Sequence, residues 1–367
     1  MRYHRTLVCA LVSLVVLAAT CAAGCGGSDA QETDRTEKSS IRVLFAGSLI
    51  IPFDQLETEF ERAYPTIDVN MEGHGSIQVV RHVSDLHEQA DVVVTADHSL
   101  IPMLLYTMED PDSGLPYADW YVIFATNEMA LAYTDKSAYA GEINSGNWID
   151  FINRQGVRVG TADPRLDANG YRALMSVKLA EGVYDRSGLF YDTFGTEFRV
   201  PISVTHANDV SLIKVPEILE TKKGAHIVLR PYSVQLLPLL QSGEIDYAFE
   251  YTSVIMQHGL RYVALPREIN LSDPALADEY RRVEVALDFQ RFASVKPRFT
   301  GEPIRYAATI PSNARQPEAA ATFLAFLLGA EGQRVMMENH QPTIMPALAD
   351  NIDSIPDILR AFCVPLN

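Results

Sequence analysis

The chain has 367 residues, 47% of them hydrophobic, and carries 47 acidic side chains against 30 lysines and arginines, for a formal net charge of −17. Such a composition is ample for one or two buried cores and too apolar for a disordered polymer. A surface this negative, with no basic stripe, argues against nucleic acid and anionic lipid as partners; it does not exclude a small anion, because bulk charge governs encounter while a local site governs binding.

The first residues read as a targeting segment. Arg2 and Arg5 open it, an apolar run covers residues 7–19, and small residues lead to Cys25. The run is too short to span a bilayer stably, which predicts a signal peptide over 1–24 and an exported protein. "CAAGC" over 21–25 resembles a lipoprotein cleavage box, so Cys25 is the expected lipidation site; the alternative is an ordinary cleavable signal with an unrelated cysteine. Residues 25–40 form a polar tether. Cys9 and Cys21 leave with the signal, so Cys363 is left as a single thiol and no intramolecular disulfide is expected.

After the tether, "IRVLFAG" reads as a buried strand, and Pro52 is expected to open a helix with Phe53, Leu56, Phe60 and Ala63 at helical spacing. "IDVNMEGHGS" gives a strand and a turn, a helix follows from Ser76 through Ile77, Val80, Val83 and Leu86, and "ADVVVTAD" is a continuous apolar strand. This alternation predicts a parallel sheet covered on both faces. The pattern resumes with strands in "NEMALAYTD" and "VRVGTADP", a helix over 170–184 facing inward with Leu174, Val177 and Leu179, the strand "AHIVLRP", the helix "SVQLLPLLQSG" and the strand "IDYAFEYTS". "IRYAATIP" is a last strand before a helix over 318–328. The whole reads as two α/β lobes with a ligand between them at the carboxyl ends of strands.

Two features call for chemistry. Ser48, Ser76, Asn169 and Ser233 each stand at an expected helix start. Singly they read as N-caps; converging on one cleft, they would form an anion site without lysine or arginine. Glu250 sits between Phe249 and Tyr251 in a strand, where a carboxylate is costly to bury unless it faces water or has a partner.

"AGSL", "GHGS", "LDANGYR", "SVQLLPLLQSGEIDYAFEYTSV" and "QHGLRYVALP" resemble, in order and spacing, the tungstate and molybdate binding proteins of ABC importers, most of all the tungstate-type branch of archaea. The likeness runs from residue 41 to about residue 328. It implies a type II periplasmic binding fold, with one lobe made of 41–126 and 304–367 and the other of 127–303, hinged around a cleft. The resemblance further implies that Ser48 and Ser76 donate to the oxyanion from the first lobe, that Asn169 and Val234 give backbone N–H groups from the second, and that Tyr251 gives its hydroxyl. Asp167 and Glu250 fall on the two carboxylates that coordinate the metal in that branch. Where the family usually reads Asp-Pro-Cys-Gly-Tyr this chain has "DANGY", which keeps the acid, the glycine and the tyrosine.

The expected function is capture of tungstate or molybdate outside the cytoplasm and delivery to an ABC permease driven by separate ATPase subunits, by a monomer with no cofactor of its own and no catalysis. Tungsten(VI) is large enough to accept two further hard oxygen donors, whereas sulfur in sulfate is not, so the acid pair both attracts and excludes. Two other readings stay open: a sulfate-like oxyanion in the same fold, or an exported glycoside hydrolase using Asp167 and Glu250, with Tyr251 and Trp120 as sugar platforms. His74, His82, His87 and His98 lie close in sequence but lack metalloprotease spacing and read as surface residues.

Overall fold

The structure, a computed structural model, describes residues 38–287 and 297–366. The expected signal peptide, Cys25 and most of the tether lie outside the described residues. In chain order the elements are β1 (Ser39–Ala46), α1 (Ile50–Ala63), β2 (Ile67–His74), α2 (Ser76–Ser84), β3 (Val92–Thr95), β4 (Val122–Thr126), β5 (Met129–Tyr133), α3 (Trp148–Ile152), β6 (Val159–Ala162), α4 (Ala168–Val183), β7 (Ser203–Ala207) and β8 (Val210–Val215). There follow β9 (Ile227–Arg230), α5 (Leu237–Ser242), β10 (Tyr247–Tyr251), α6 (Thr252–Gln257), β11 (Arg261–Ala264), α7 (Ala277–Tyr280), β12 (Val283–Leu287), β13 (Arg298–Thr300), β14 (Arg305–Thr309), α8 (Pro317–Leu328), α9 (Ala330–Glu338), β15 (Thr343–Ala349) and β16 (Cys363–Pro365).

Three sheets organise these elements. A seven-stranded sheet has the order β16-β15-β4-β14-β3-β1-β2, a five-stranded sheet β11-β5-β10-β6-β9, and a four-stranded sheet β13-β12-β8-β7. The chain leaves the seven-stranded sheet for the five-stranded one from β4 to β5 through Asn127 and Glu128, and returns to it from the four-stranded sheet into β14 after Thr300. The expected parallel core is present in β2-β1-β3. The complete sheet is mixed, because β14 runs antiparallel to both β3 and β4. A strand that returns from the other sheet enters from the opposite end, so antiparallel pairing follows from the crossing. Among the described residues no helix is long and apolar enough to cross a membrane.

Local chemistry explains most boundaries. α1 starts at Ile50, two residues before Pro52, because the turn Gly47–Leu49 leads straight into it, and Phe53, Leu56 and Phe60 are buried as their spacing requires. β1 takes in Ser39 and Ser40, which pair with Ile67 and Asp68, so the sheet begins inside the segment read as tether. α4 is buried on every side over its first ten residues, which an amphipathic reading of Leu174, Val177 and Leu179 understates. Gly170 lets that helix lie against the end of β6: a Cβ there would stand 2.5 Å from the Ala162 carbonyl oxygen and 2.6 Å from the Pro164 nitrogen. Gly170→Ala is therefore expected to destabilise the fold by about 1–3 kcal/mol through overpacking, read as a lowered urea midpoint.

Candidate functional site

The site grows from the start of α4. Asp167 is its N-cap, and its Oδ1 accepts the Asn169 backbone N–H at 3.0 Å while Oδ2 accepts the Ser233 N–H at 3.0 Å. Asn169 turns its side chain the other way and donates from Nδ2 to Glu250 Oε1 at 3.3 Å, an oxygen that also accepts the Tyr251 N–H at 2.7 Å. One asparagine thus ties two buried carboxylates together. Glu250 is wholly buried, and burial pushes its pKa up to about 8, opposed by the Tyr251 N–H and the Ser233 side chain and reinforced by the charge of Asp167. Although Ser233 lies near enough to draw the pKa down, Glu250 Oε2 is buried without a completed hydrogen bond. Burial likewise raises Asp167, against the pull of the Ser233 and Asn169 amides.

These bonds correct the capping scheme. None of the four expected caps closes a helix end with its side chain. Gly75 is the N-cap of α2 and Asp167 that of α4, while Ser48 and Ser233 stand in short 3₁₀ turns. The Asn169 N–H expected to face an oxyanion is given to Asp167 instead, because a charged acceptor two residues back in the chain captures it.

The serines have other partners. Ser76 Oγ accepts the Ala96 N–H at 2.9 Å, and Ser48 Oγ lies 2.9 Å from the Tyr306 hydroxyl. Asn127 Oδ1 accepts the Glu128 N–H at 3.0 Å, which fixes the amide so that Nδ2 donates to the Tyr306 oxygen at 3.1 Å. Tyr306 then has its own proton to give Ser48. Ser76, its oxygen supplied by the Ala96 N–H, keeps its own proton for something else, and Ser48 does so in the arrangement where Tyr306 donates to it. Ser76→Ala would strand the buried Ala96 N–H, so we expect it to cost about 1–3 kcal/mol of stability in chemical denaturation as well as a donor. Ser76→Thr, which keeps the hydroxyl, restores most of that loss.

Loops of the seven-stranded and five-stranded sheets meet closely around this cluster. A Cβ on Gly47 would come within 3.8 Å of Val234 Cγ2, and one on Gly75 would overlap the Leu166 carbonyl oxygen and stand 2.9 Å from the Tyr232 ring. The Tyr232 hydroxyl donates across to Gln78 Oε1. The rings of Tyr251 and Tyr306, one from each main sheet, are 6.3 Å apart. Ser48, Ser76, Asp167, Asn169, Val234, Glu250 and Tyr251 are thereby all brought to one junction.

Several residues at the junction escaped sequence reasoning. Arg172 is 3% exposed and donates from Nη1 to the Tyr251 hydroxyl at 2.8 Å and to the Ala96 carbonyl at 2.7 Å. Asp97 and Tyr171 complete the network around it, and Asn127 and Tyr306 form a second one with Ser48. A lone arginine amid the apolar first turns of α4 was the available signal, since such a charge is tolerated only with partners. His98 is buried beside Asp97, not on the surface as expected, while His74 and His82 are half-buried and stack with ring centroids 4.7 Å apart.

A family model for the bacterial extracellular solute-binding proteins matches residues 41–340. The chain belongs to that family. It is 39% identical over 359 residues to the molybdate/tungstate-binding protein WtpA of Thermococcus kodakarensis, covering 95% of each chain, and 36% identical over 345 residues to that of Pyrococcus abyssi, covering 92% of this chain and 93% of the relative. Among solved structures it resembles the periplasmic molybdate-binding protein of Azotobacter vinelandii, with a TM-score of 0.53 at 14% identity over 82% of this chain and 98% of the other. It also resembles the sulfate-binding protein SubI of Mycobacterium tuberculosis, with a TM-score of 0.51 at 14% identity over 89% and 92%. The fold is that of the type II periplasmic binding proteins. Membership makes this solute-binding protein a carrier that acts outside the cytoplasm and not an enzyme, which removes the hydrolase reading of Asp167 and Glu250.

Proposed function

We propose that this solute-binding protein captures tungstate or molybdate in the junction between its two main sheets and hands it to an ABC permease with its ATPase subunits. Residues 41–126 and 304–367 act as one lobe and residues 127–303 as the other. Ser48, Ser76 and Tyr251 donate hydroxyl protons to the oxyanion, Val234 offers its backbone N–H, and Asp167 and Glu250 approach the metal centre. Asn169 serves by holding both carboxylates in place.

The observation that carries this reading is Glu250, a wholly buried carboxylate with one oxygen unsatisfied, tied through Asn169 to a second buried carboxylate. A binding protein for sulfate gains nothing from two acids facing a dianion whose central atom does not accept them; a hexavalent tungsten or molybdenum centre does. At the amino end, lipid on Cys25 would tether the monomer to the membrane. Titration calorimetry with tungstate, molybdate, sulfate and phosphate tests the proposal: the first two should bind tightly and the last two weakly or not at all. Tight sulfate binding overturns it.

A further inference from the structure

Arg172 carries a full charge in a place where an unpaired guanidinium would cost several kcal/mol. Its partners come from both halves. Tyr251 belongs to β10 of the five-stranded sheet, while Ala96 and Asp97 follow β3 of the seven-stranded one. Nη2 lies 3.5 Å from Asp97 Oδ2, the oxygen that also accepts the Tyr171 hydroxyl, and Asp97 Oδ1 is held by the Ser99 N–H at 2.9 Å and its hydroxyl at 2.7 Å. Tyr171 itself stacks on Phe299 at 4.1 Å, so the residue beside Arg172 is clamped as well.

A guanidinium has donors and no acceptor, whereas a phenol has one proton. At the bond to Arg172 the Tyr251 oxygen must therefore accept, and its own proton is left to point elsewhere. We propose that Arg172 is a positioning residue, which makes the Tyr251 hydroxyl a donor toward the bound oxyanion and, by gripping Asp97 and the Ala96 carbonyl across the cleft, fastens the closed form. The inference rests on the oxyanion reading above. In this role Arg172 lends no net charge to the anion, because Asp97 neutralises it on closure; what it supplies is polarity and a cross-cleft contact. A lysine can meet Tyr251 or Asp97 but lacks the planar fork that meets both.

The test is a double-variant cycle with Arg172→Lys, Tyr251→Phe and the pair, titrated with tungstate, together with small-angle scattering of the wild type and of Asp97→Asn with and without tungstate. Each single change is expected to weaken binding about ten- to a hundredfold, the value of a charge-assisted hydrogen bond, and the pair to be no more than about threefold worse than the weaker single. Independent, multiplying losses would mean that Arg172 does not act through Tyr251 and would overturn that part. Asp97→Asn should scatter as a more open particle at saturating tungstate; compaction equal to wild type overturns the grip. Should Arg172→Lys fail to fold, Asp97→Asn and Tyr251→Phe still decide, since a grip and a donor each predict a loss in their own variant. If the wild type binds neither tungstate nor molybdate, the oxyanion reading falls and takes this inference with it; if the wild type binds and closes while the variants match it, this inference alone falls.

Discussion

Glutamine in place of Glu250 is expected to leave a better-folded protein that binds tungstate at least about a hundredfold more weakly, a larger loss than removal of an outer-shell partner of a metal ligand commonly brings. The two effects have one cause. A carboxylate with its pKa pushed up to about 8 by burial prefers to be protonated in the folded chain. The sign follows: the folded value lies above the unfolded one of 4.5, so the contribution to stability is complete below about pH 4.5 and is lost as pH rises toward 8. The size is of order 5 kcal/mol. Thermal melts of ligand-free wild type between pH 5 and 9 should fall through this window, and those of Glu250→Gln should fall much less. Equal slopes in the two proteins would remove the buried acid as their source; undiminished tungstate affinity in the variant would remove its role as a metal ligand.

Gly75→Ala should fold and fail to close. Gly75 has φ −65° and ψ 143°, a conformation open to any residue, so the glycine is not required by the backbone. It is required by the Leu166 carbonyl and the Tyr232 ring, which press on the space a methyl group would take. Both belong to the opposite half. The added Cβ therefore burdens only the closed form, apart from a small loss from alanine being the poorer N-cap. Because apparent affinity scales with the closed population, tungstate binding should drop by about tenfold or more while the denaturation midpoint moves little. Scattering at saturating tungstate should report a particle as open as ligand-free wild type. Wild-type compaction in Gly75→Ala would show that the two loops do not need this approach.

Legibility of the sequence depended on how local each interaction is. "IRVLFAG" and "ADVVVTAD" announced β1 and β3 because buried parallel strands are continuous apolar runs. The start of the helix after Ser76 was equally plain from helical spacing, but α2 ends at Ser84, and Leu86, expected as its last inward residue, is exposed. The four-stranded sheet went unseen because β7 is largely exposed and the strands that complete the sheet beyond β8, β12 and β13, lie some 70 or more residues on. Its hairpin did leave a mark: Asn208 and Asp209 both have positive φ, at 49° and 64°, as a tight two-residue turn demands. At the site, Asp167 and Glu250 were reached through family likeness, while their tie through Asn169 and the capture of the Asn169 N–H by Asp167 depend on contacts 66 to 81 residues apart or on cap geometry that composition does not encode. Arg172 lay in plain view within "DANGYR", but its partners Asp97 and Tyr251 are distant in sequence and meet it only in the fold.

The two places where the chain leaves and re-enters the seven-stranded sheet have a mechanical meaning. A body attached at one point can swing and twist; attached at two, it keeps a single freedom, rotation about the line joining them. Asn127 stands on one of these attachments and reaches Ser253 and Tyr306, one in each half, so the pivot is itself stitched. Along such an arc Gly75, Gly47 and Arg172 cannot seat one after another in arbitrary order. One angle fixes the order in which they seat. If the cleft closes as proposed, a permease touching this protein has one quantity to read, the angle about that line.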